Sequence, residues 1–331
     1  MTKKTFGLLP DGSQATLYTI QNEFLTASIT DLGATLVSLL VPDPKGEVAD
    51  VVLGYDDPAQ YVRGGNFFGA TVGRYANRIK GGTFMVGDKK VTMDKNEGNN
   101  NLHSGYDYFK NRLWTLEDHK ETSIRFSLLS PDGDQGFPGN AQIHVTYSLE
   151  NSALKISYDA VCDQDTVFNL TNHSYFNVAG HDNWERGGKQ ILSMPARFIV
   201  AVDDELIPTG ELPSVEGTAF DFREPKAINA DFTDDFGGYD HTFEVYTSPC
   251  AILTDSVSGR SMAVYTDCPG VQLYSSPGMN MTGKGGTHYG DSAGLCLETQ
   301  YYPDSVNHPE WPQPFVKAGE RYHSETVFKF N

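Results

Sequence analysis

Glu298 lies in AGLCLETQYYPDSVNHPEWP, residues 293–312, next to Leu297 and two residues beyond Cys296 in a run that otherwise reads as an apolar strand. Burial of a carboxylate disfavours its charged form and moves its pKa towards the range useful for proton transfer near neutrality. A structural ion pair, for instance with Arg78, would account for the same residue. The second proton-transfer candidate is His173, in TVFNLTNHSYFNVAG, residues 166–180. At the two-residue period of a strand, this stretch puts Phe168, Leu170 and Phe176 on one side and Asn169, Thr171, His173, Tyr175 and Asn177 on the other. The polar stripe must be paired or line a wet cavity, because unpaired polar groups are costly to bury. His173 therefore reads either as a satisfied structural histidine or as an acid or base.

Three further segments carry polar groups that could hold a ligand. FFGATVGRYANRIKGGTF, residues 67–84, interrupts a glycine-rich strand run with Arg74, Asn77 and Arg78. These arginines could equally be solvated on a strand edge. NEGNNNLHSG places His103 among amides and glycines in a loop, where a histidine can be functional or simply wet. GGYDHTF brings Asp240 and His241 to the end of an acidic loop. Adjacent residues of an extended chain face opposite ways, so one of these two is expected in any shared pocket.

The elements that must position these groups read as strands. Short runs such as LYTIQNEFLTASITDLGATLVSLLVP alternate with turn clusters such as DPKG, SPDGDQGFPGN and SPGMN, and helical periodicity is scarce. Aromatic residues make up 12% of the chain, a bias that favours strands. The expected fold is all-β, a sandwich or barrel, formed by residues 1–331 as one domain. The segment from Ile207 to Tyr239, rich in proline and then acidic, reads as a surface excursion within it.

A formal charge of −18 argues against nucleic acid and anionic membrane surfaces as partners. Cys162, Cys250, Cys268 and Cys296 have neither metal-type nor redox-type spacing and read as reduced thiols. No HExxH pattern is present, so no metal is expected. The N-terminus lacks an apolar signal segment and no run approaches bilayer length, which points to a cytoplasmic protein.

Taken together, GRYANRI (73–79), NLHSG (101–105), NHSYFN (172–177), YDH (239–241) and LETQYYPDSVN (297–307) resemble the ordered motif set of the aldose 1-epimerases, the galactose mutarotases. The resemblance implies a large antiparallel β-sandwich that holds a free monosaccharide on a concave face and uses no metal or organic cofactor. It implies Glu298 as general base and His173 as general acid. Asn77, Arg78, His103, Asp240 and Gln272 match positions that hold sugar hydroxyls. The serine of NLHSG stands where glycine is frequent. Exchange of anomers needs one base at the C1 hydroxyl and one acid at the ring oxygen. Carboxylates near His173, Asp240 among them, are expected to keep it protonated near neutral pH. Two other readings fit parts of the pattern. A glycoside hydrolase could use Glu298 with Asp240, and a sugar-binding module could stack its ligand on Trp114, Trp184 or Trp311.

Overall fold

A computed structural model describes residues 2–331. Its largest element is a nine-stranded antiparallel sheet, in the spatial order 115–119, 123–130, 141–150, 153–162, 321–330, 261–266, 251–254, 191–193 and 226–227. The alternation in Ala141–Glu150 shows why it forms: Ala141, Ile143, Val145, Tyr147 and Leu149 are buried, and the residues between them are not. Ile143 pairs with Ala160, Val145 with Tyr158 and Tyr147 with Ile156, so the neighbouring strand turns its own apolar set to the same side. A five-stranded sheet formed by residues 2–50 adds Ile20, Ala27, Ile29, Leu36 and Leu39 to the same core.

A four-stranded antiparallel sheet faces the other way, ordered Tyr175–Phe176, Leu295–Gln300, Gly270–Tyr274 and Asp240–Glu244. Every residue of Leu295–Gln300 is buried, so this strand is covered on both faces. Leu295, Leu297, Val271, Leu273 and Phe243 enter the main core, and Thr299 hydrogen-bonds Thr326 of the large sheet. By alternation the opposite face carries Cys296 and Glu298, Gln272 and Tyr274, and Asp240. One sheet therefore presents a row of functional groups with a hydrophobic core behind it.

The 166–180 stretch is not one continuous strand. Thr166–Val167, Thr171–Asn172 and Tyr175–Phe176 are separate two-residue strands, paired with Phe315–Val316, Thr71–Val72 and Leu295–Cys296 respectively. The apolar side still lies in the main core, as Phe168, Leu170 and Phe176. The polar side divides. Asn169 is spent on the backbone of Ala76 and Tyr301, and Asn177 on that of Asn183, Ala293 and Ala179. Only His173 and Tyr175 of the expected stripe reach the pocket. The segment 207–239 contains the short strand Lys226–Ala227, which closes the edge of the large sheet.

Candidate active site

The pocket in front of the four-stranded sheet has a volume of about 240 Å³, below the roughly 300–1,000 Å³ of drug-sized ligand sites. Glu298, Tyr274, Asp240 and Tyr175 form its sheet side, and Asn66, Phe67, Asn77, Arg78, Glu97, His103 and His173 close it. A larger apolar depression of about 480 Å³ lies elsewhere, near Val306, Phe315 and Val316. Its charged groups, Asp165 and Lys317, are paired with each other at 2.8 Å, and among the described residues no proton-transfer pair lines it.

His173 is held by its backbone. Its N–H donates to Ala70 at 3.0 Å and its carbonyl accepts from Gly69 at 2.9 Å. Gly69 has φ +65°, and a Cβ there would lie 2.0 Å from the Leu36 carbonyl oxygen, so only glycine allows this approach. The imidazole lies between two near-parallel rings, Tyr175 at 5.1 Å and Phe67 at 5.6 Å between centroids. Its Nε2 is 3.6 Å from Glu298 Oε1, and its Nδ1 is 3.4 Å from Cys296 Sγ.

Burial sets the charge states of this pair. It raises the Glu298 carboxyl well above the usual range, reinforced by the charge of Asp240 and opposed by Arg78. It lowers His173 to about 4. The expectation that neighbouring carboxylates keep His173 protonated is therefore corrected: desolvation of the buried ring dominates, opposed by a hydrogen bond to its own backbone and by no resolved attraction from the carboxylates. Glu298 Oε2 is buried with no hydrogen-bond partner among the described residues, an arrangement that is costly unless a ligand completes it. Among the described residues no arginine pairs with Glu298; Arg78 instead grips Glu97 with two bonds of 2.7 and 2.9 Å and approaches Asp240 at 3.6 Å.

His103 is fixed by a reciprocal contact. The Asn77 backbone N–H donates to its Nδ1 at 3.1 Å, and its own N–H donates to the Asn77 carbonyl at 3.1 Å. A backbone N–H can only donate, so the His103 hydrogen sits on Nε2. Burial, helped by His173 and Arg78, holds this ring well below the usual histidine range, leaving it a neutral donor. Asn77 and His103 both have positive φ, 68° and 52°, a conformation uncommon outside glycine and asparagine and often found where a site requires it.

Asp240 faces the pocket, whereas His241 turns away and packs on Phe220, as alternation requires. Gln272 shares the sheet face of Glu298 and Asp240 but does not line the pocket: Thr242 Oγ1 donates to its Oε1, and its Nε2 donates to Asp240 at 2.6 Å. It thus orients Asp240. Arg74 is remote from the pocket and fully buried, donating to the carbonyls of Ser130, Pro131, Pro138 and Gly139. Neither Arg74 nor Arg78 is a solvated edge residue. Sequence reasoning assigned no role to Phe67, Glu97, Tyr274 or Cys296, and named Tyr175 only as part of the polar stripe. Two of these were accessible by strand alternation, since Tyr274 follows Gln272 by two residues and Cys296 precedes Glu298 by two.

His173, Cys296 and Glu298 bring potential metal-ligand atoms within 4.8 Å of one another. In the structure these groups are turned towards one another, the thiol against Nδ1 and the carboxylate against Nε2 of the one ring.

The family model described as aldose 1-epimerase matches residues 16–329. Galactose mutarotase of Mus musculus is 40% identical, covering 100% of this chain and 98% of the relative. Aldose 1-epimerase of Escherichia coli K12 is 38% identical, covering 100% and 99%. Among solved structures, an aldose epimerase homologue from C. elegans superposes with a TM-score of 0.89 at 33% identity, covering 95% of this chain and 98% of that one.

Proposed function

The chain belongs to the aldose 1-epimerase family, and on that premise we propose that Glu298 and His173 are the proton-transfer pair of the anomer interconversion it catalyses. Glu298, as carboxylate, takes the proton of the C1 hydroxyl. The C1–O5 bond breaks as C1=O forms, and His173 Nε2–H gives its proton to O5. After rotation about C1–C2 the O5 hydroxyl attacks the other face of the aldehyde, His173 recovers its proton and Glu298 returns one to the new C1 hydroxyl. No atom or charge is gained or lost.

The observation that supports this most is the 3.6 Å approach of Nε2 to Oε1 at the wall of a small polar pocket. With Glu298 protonated and His173 neutral, the pair holds as many protons as the carboxylate–imidazolium form that starts the reaction. A proton shift across the gap converts one into the other. Ligand hydroxyls that replace water around both groups can stabilise the charged form, since preorganised donors act strongly in a low dielectric. Asn77, Arg78, His103 and Asp240 hold hydroxyls in this reading, with Gln272 keeping Asp240 in place. Positioning of this kind lowers the barrier without consuming the groups involved.

Asp240 is already committed to Gln272 and Arg78, so it serves better as a hydroxyl acceptor than as the second carboxyl of a hydrolase. Galactose and glucose are the substrates we favour, given that relatives of this length are named galactose mutarotase. We read residues 1–331 as one domain, because the pocket draws on side chains from Asn66 to Glu298. Four buried free thiols fit the cytoplasm. No helix among the described residues is long and apolar enough to cross a membrane. The test is polarimetry on freshly dissolved α-D-galactose and α-D-glucose. Accelerated decay of optical rotation is expected, and folded protein that leaves both decays unchanged would overturn the reading.

A further inference from the structure

The hydrogen-bonding neighbour of His173 Nδ1 is a thiol, Cys296 Sγ at 3.4 Å. Strand pairing fixes this contact. Cys296 is the cross-strand partner of Tyr175, whose ring stacks on His173, and Cys296 shares its sheet face with Glu298. The thiol is fully enclosed, and burial together with the charges of Glu298 and Asp240 opposes its ionisation. It is therefore a neutral group whose sulfur can accept weakly from an N–H and whose S–H can donate weakly. The carboxyl of Glu298, which burial keeps protonated, faces Nε2 at 3.6 Å as a donor, so Nδ1 is the nitrogen that carries its hydrogen towards the sulfur.

A histidine that gives and recovers a proton at Nε2 must keep its other hydrogen on Nδ1. If that hydrogen moved to Nε2, the neutral ring would present a filled nitrogen to the substrate and could not take the proton back. We propose that Cys296 is the positioning residue that holds the His173 hydrogen on Nδ1, leaving Nε2 as the exchanging atom. This proposal rests on the reading of His173 as the acid.

The weakness of sulfur as an acceptor suits the task. A carboxylate or carbonyl at Nδ1 would make the ring more basic and Nε2–H correspondingly reluctant to leave. A thiol orients the ring with little such effect, so the proton can pass to the weakly basic oxygen of a sugar ring. His103, whose ring centroid is 5.6 Å from that of His173, is set the opposite way. Its Nδ1 is occupied by the Asn77 N–H, so its Nε2–H is a permanent donor. The two histidines carry opposite tautomers because one Nδ1 meets an obligatory donor and the other a weak acceptor.

The experiment is nitrogen NMR of ¹⁵N-histidine-labelled enzyme, with kcat and KM, for the unmodified protein, Cys296→Ser and Cys296→Ala. In the unmodified protein and Cys296→Ser, His173 should show a protonated Nδ1 and a bare Nε2 at neutral pH. Cys296→Ser should keep most of kcat, because a hydroxyl also accepts. Cys296→Ala should lose the single tautomer and about 10-fold or more in kcat, with KM little changed. The proposal is overturned by hydrogen on Nε2 in the unmodified protein, by unchanged kcat in Cys296→Ala, or by folded Cys296→Ser falling as far as Cys296→Ala, which would mean that only packing matters. A wrong assignment of His173 itself would show separately, as turnover surviving in His173→Asn.

Discussion

Glu298 Oε1 lies 3.6 Å from His173 Nε2, and burial moves both groups towards their uncharged forms. Two ionisable groups this close behave as one unit holding a proton between them. Burial thus favours a neutral pair, and the proposed chemistry requires the bound sugar to support the charge separation.

Removal of either proton-transfer group should abolish most turnover while sparing binding. Glu298→Gln and His173→Asn keep shape and lose proton exchange, so kcat should fall by about 10²-fold or more, with little change in sugar affinity. Steady-state mutarotation and equilibrium titration with galactose check this. Near-normal kcat in either variant would show that the roles are misassigned.

The pH profile should be broad. The productive form of the pair carries one shared proton, so kcat/KM should drop on the acid side near about 4, where His173 takes a second proton, and on the alkaline side where Glu298, raised well above its usual range, gives up its proton. Both limbs belong to the pair. A measured acid limb near 6.5, the ordinary histidine value, would mean that burial does not control His173.

Stability should depend on pH through the same histidines. Folded His173 and His103 resist protonation that the unfolded chain accepts below about pH 6.5. The His173 contribution is present above that value and is lost as pH falls towards about 4, and that of His103 is lost in the same direction, because the unfolded state then binds more protons. The raised Glu298 adds a slope of the opposite sign above about pH 4.3, where the unfolded carboxyl ionises first. Each such group contributes a slope of up to about 1.4 kcal/mol per pH unit. Urea unfolding between pH 6.5 and 4 should therefore be less pH-dependent for His173→Asn than for the unmodified chain, and equal slopes would contradict the assignment.

Neutral aldoses should be preferred over hexose 6-phosphates. Among the described residues Arg78 is the only lysine or arginine lining the pocket, and it is engaged by Glu97 and Asp240. A phosphate would meet Glu97 and Asp240 with no free cation on the wall, at about 1 kcal/mol per unit-charge contact at 4 Å in water and more in a shielded cleft. Equal or higher kcat/KM for glucose 6-phosphate than for glucose, compared at low ionic strength, would refute this.

Chelation should leave activity unchanged. The thiol and carboxylate around His173 address opposite ring nitrogens, and the proposed chemistry uses only two proton-transfer groups. Loss of turnover on dialysis against EDTA, restored by a divalent ion, would show otherwise.

The sequence by itself determined which segments matter. A carboxylate in an apolar strand, a histidine among alternating polar groups and amide-rich loops are local patterns, and strand period alone separates Asp240 from His241 and aligns Cys296 with Glu298. Burial and long-range pairing are not local, and only the tertiary structure decided them. It sent Arg74 into a cage of carbonyls and Arg78 to Glu97, set Gln272 against Asp240, and broke the 166–180 stretch into three short pairings. It also left His173 neutral, because the desolvation of a ring enclosed by Phe67, Tyr175 and Cys296 depends on contacts contributed by segments more than a hundred residues apart.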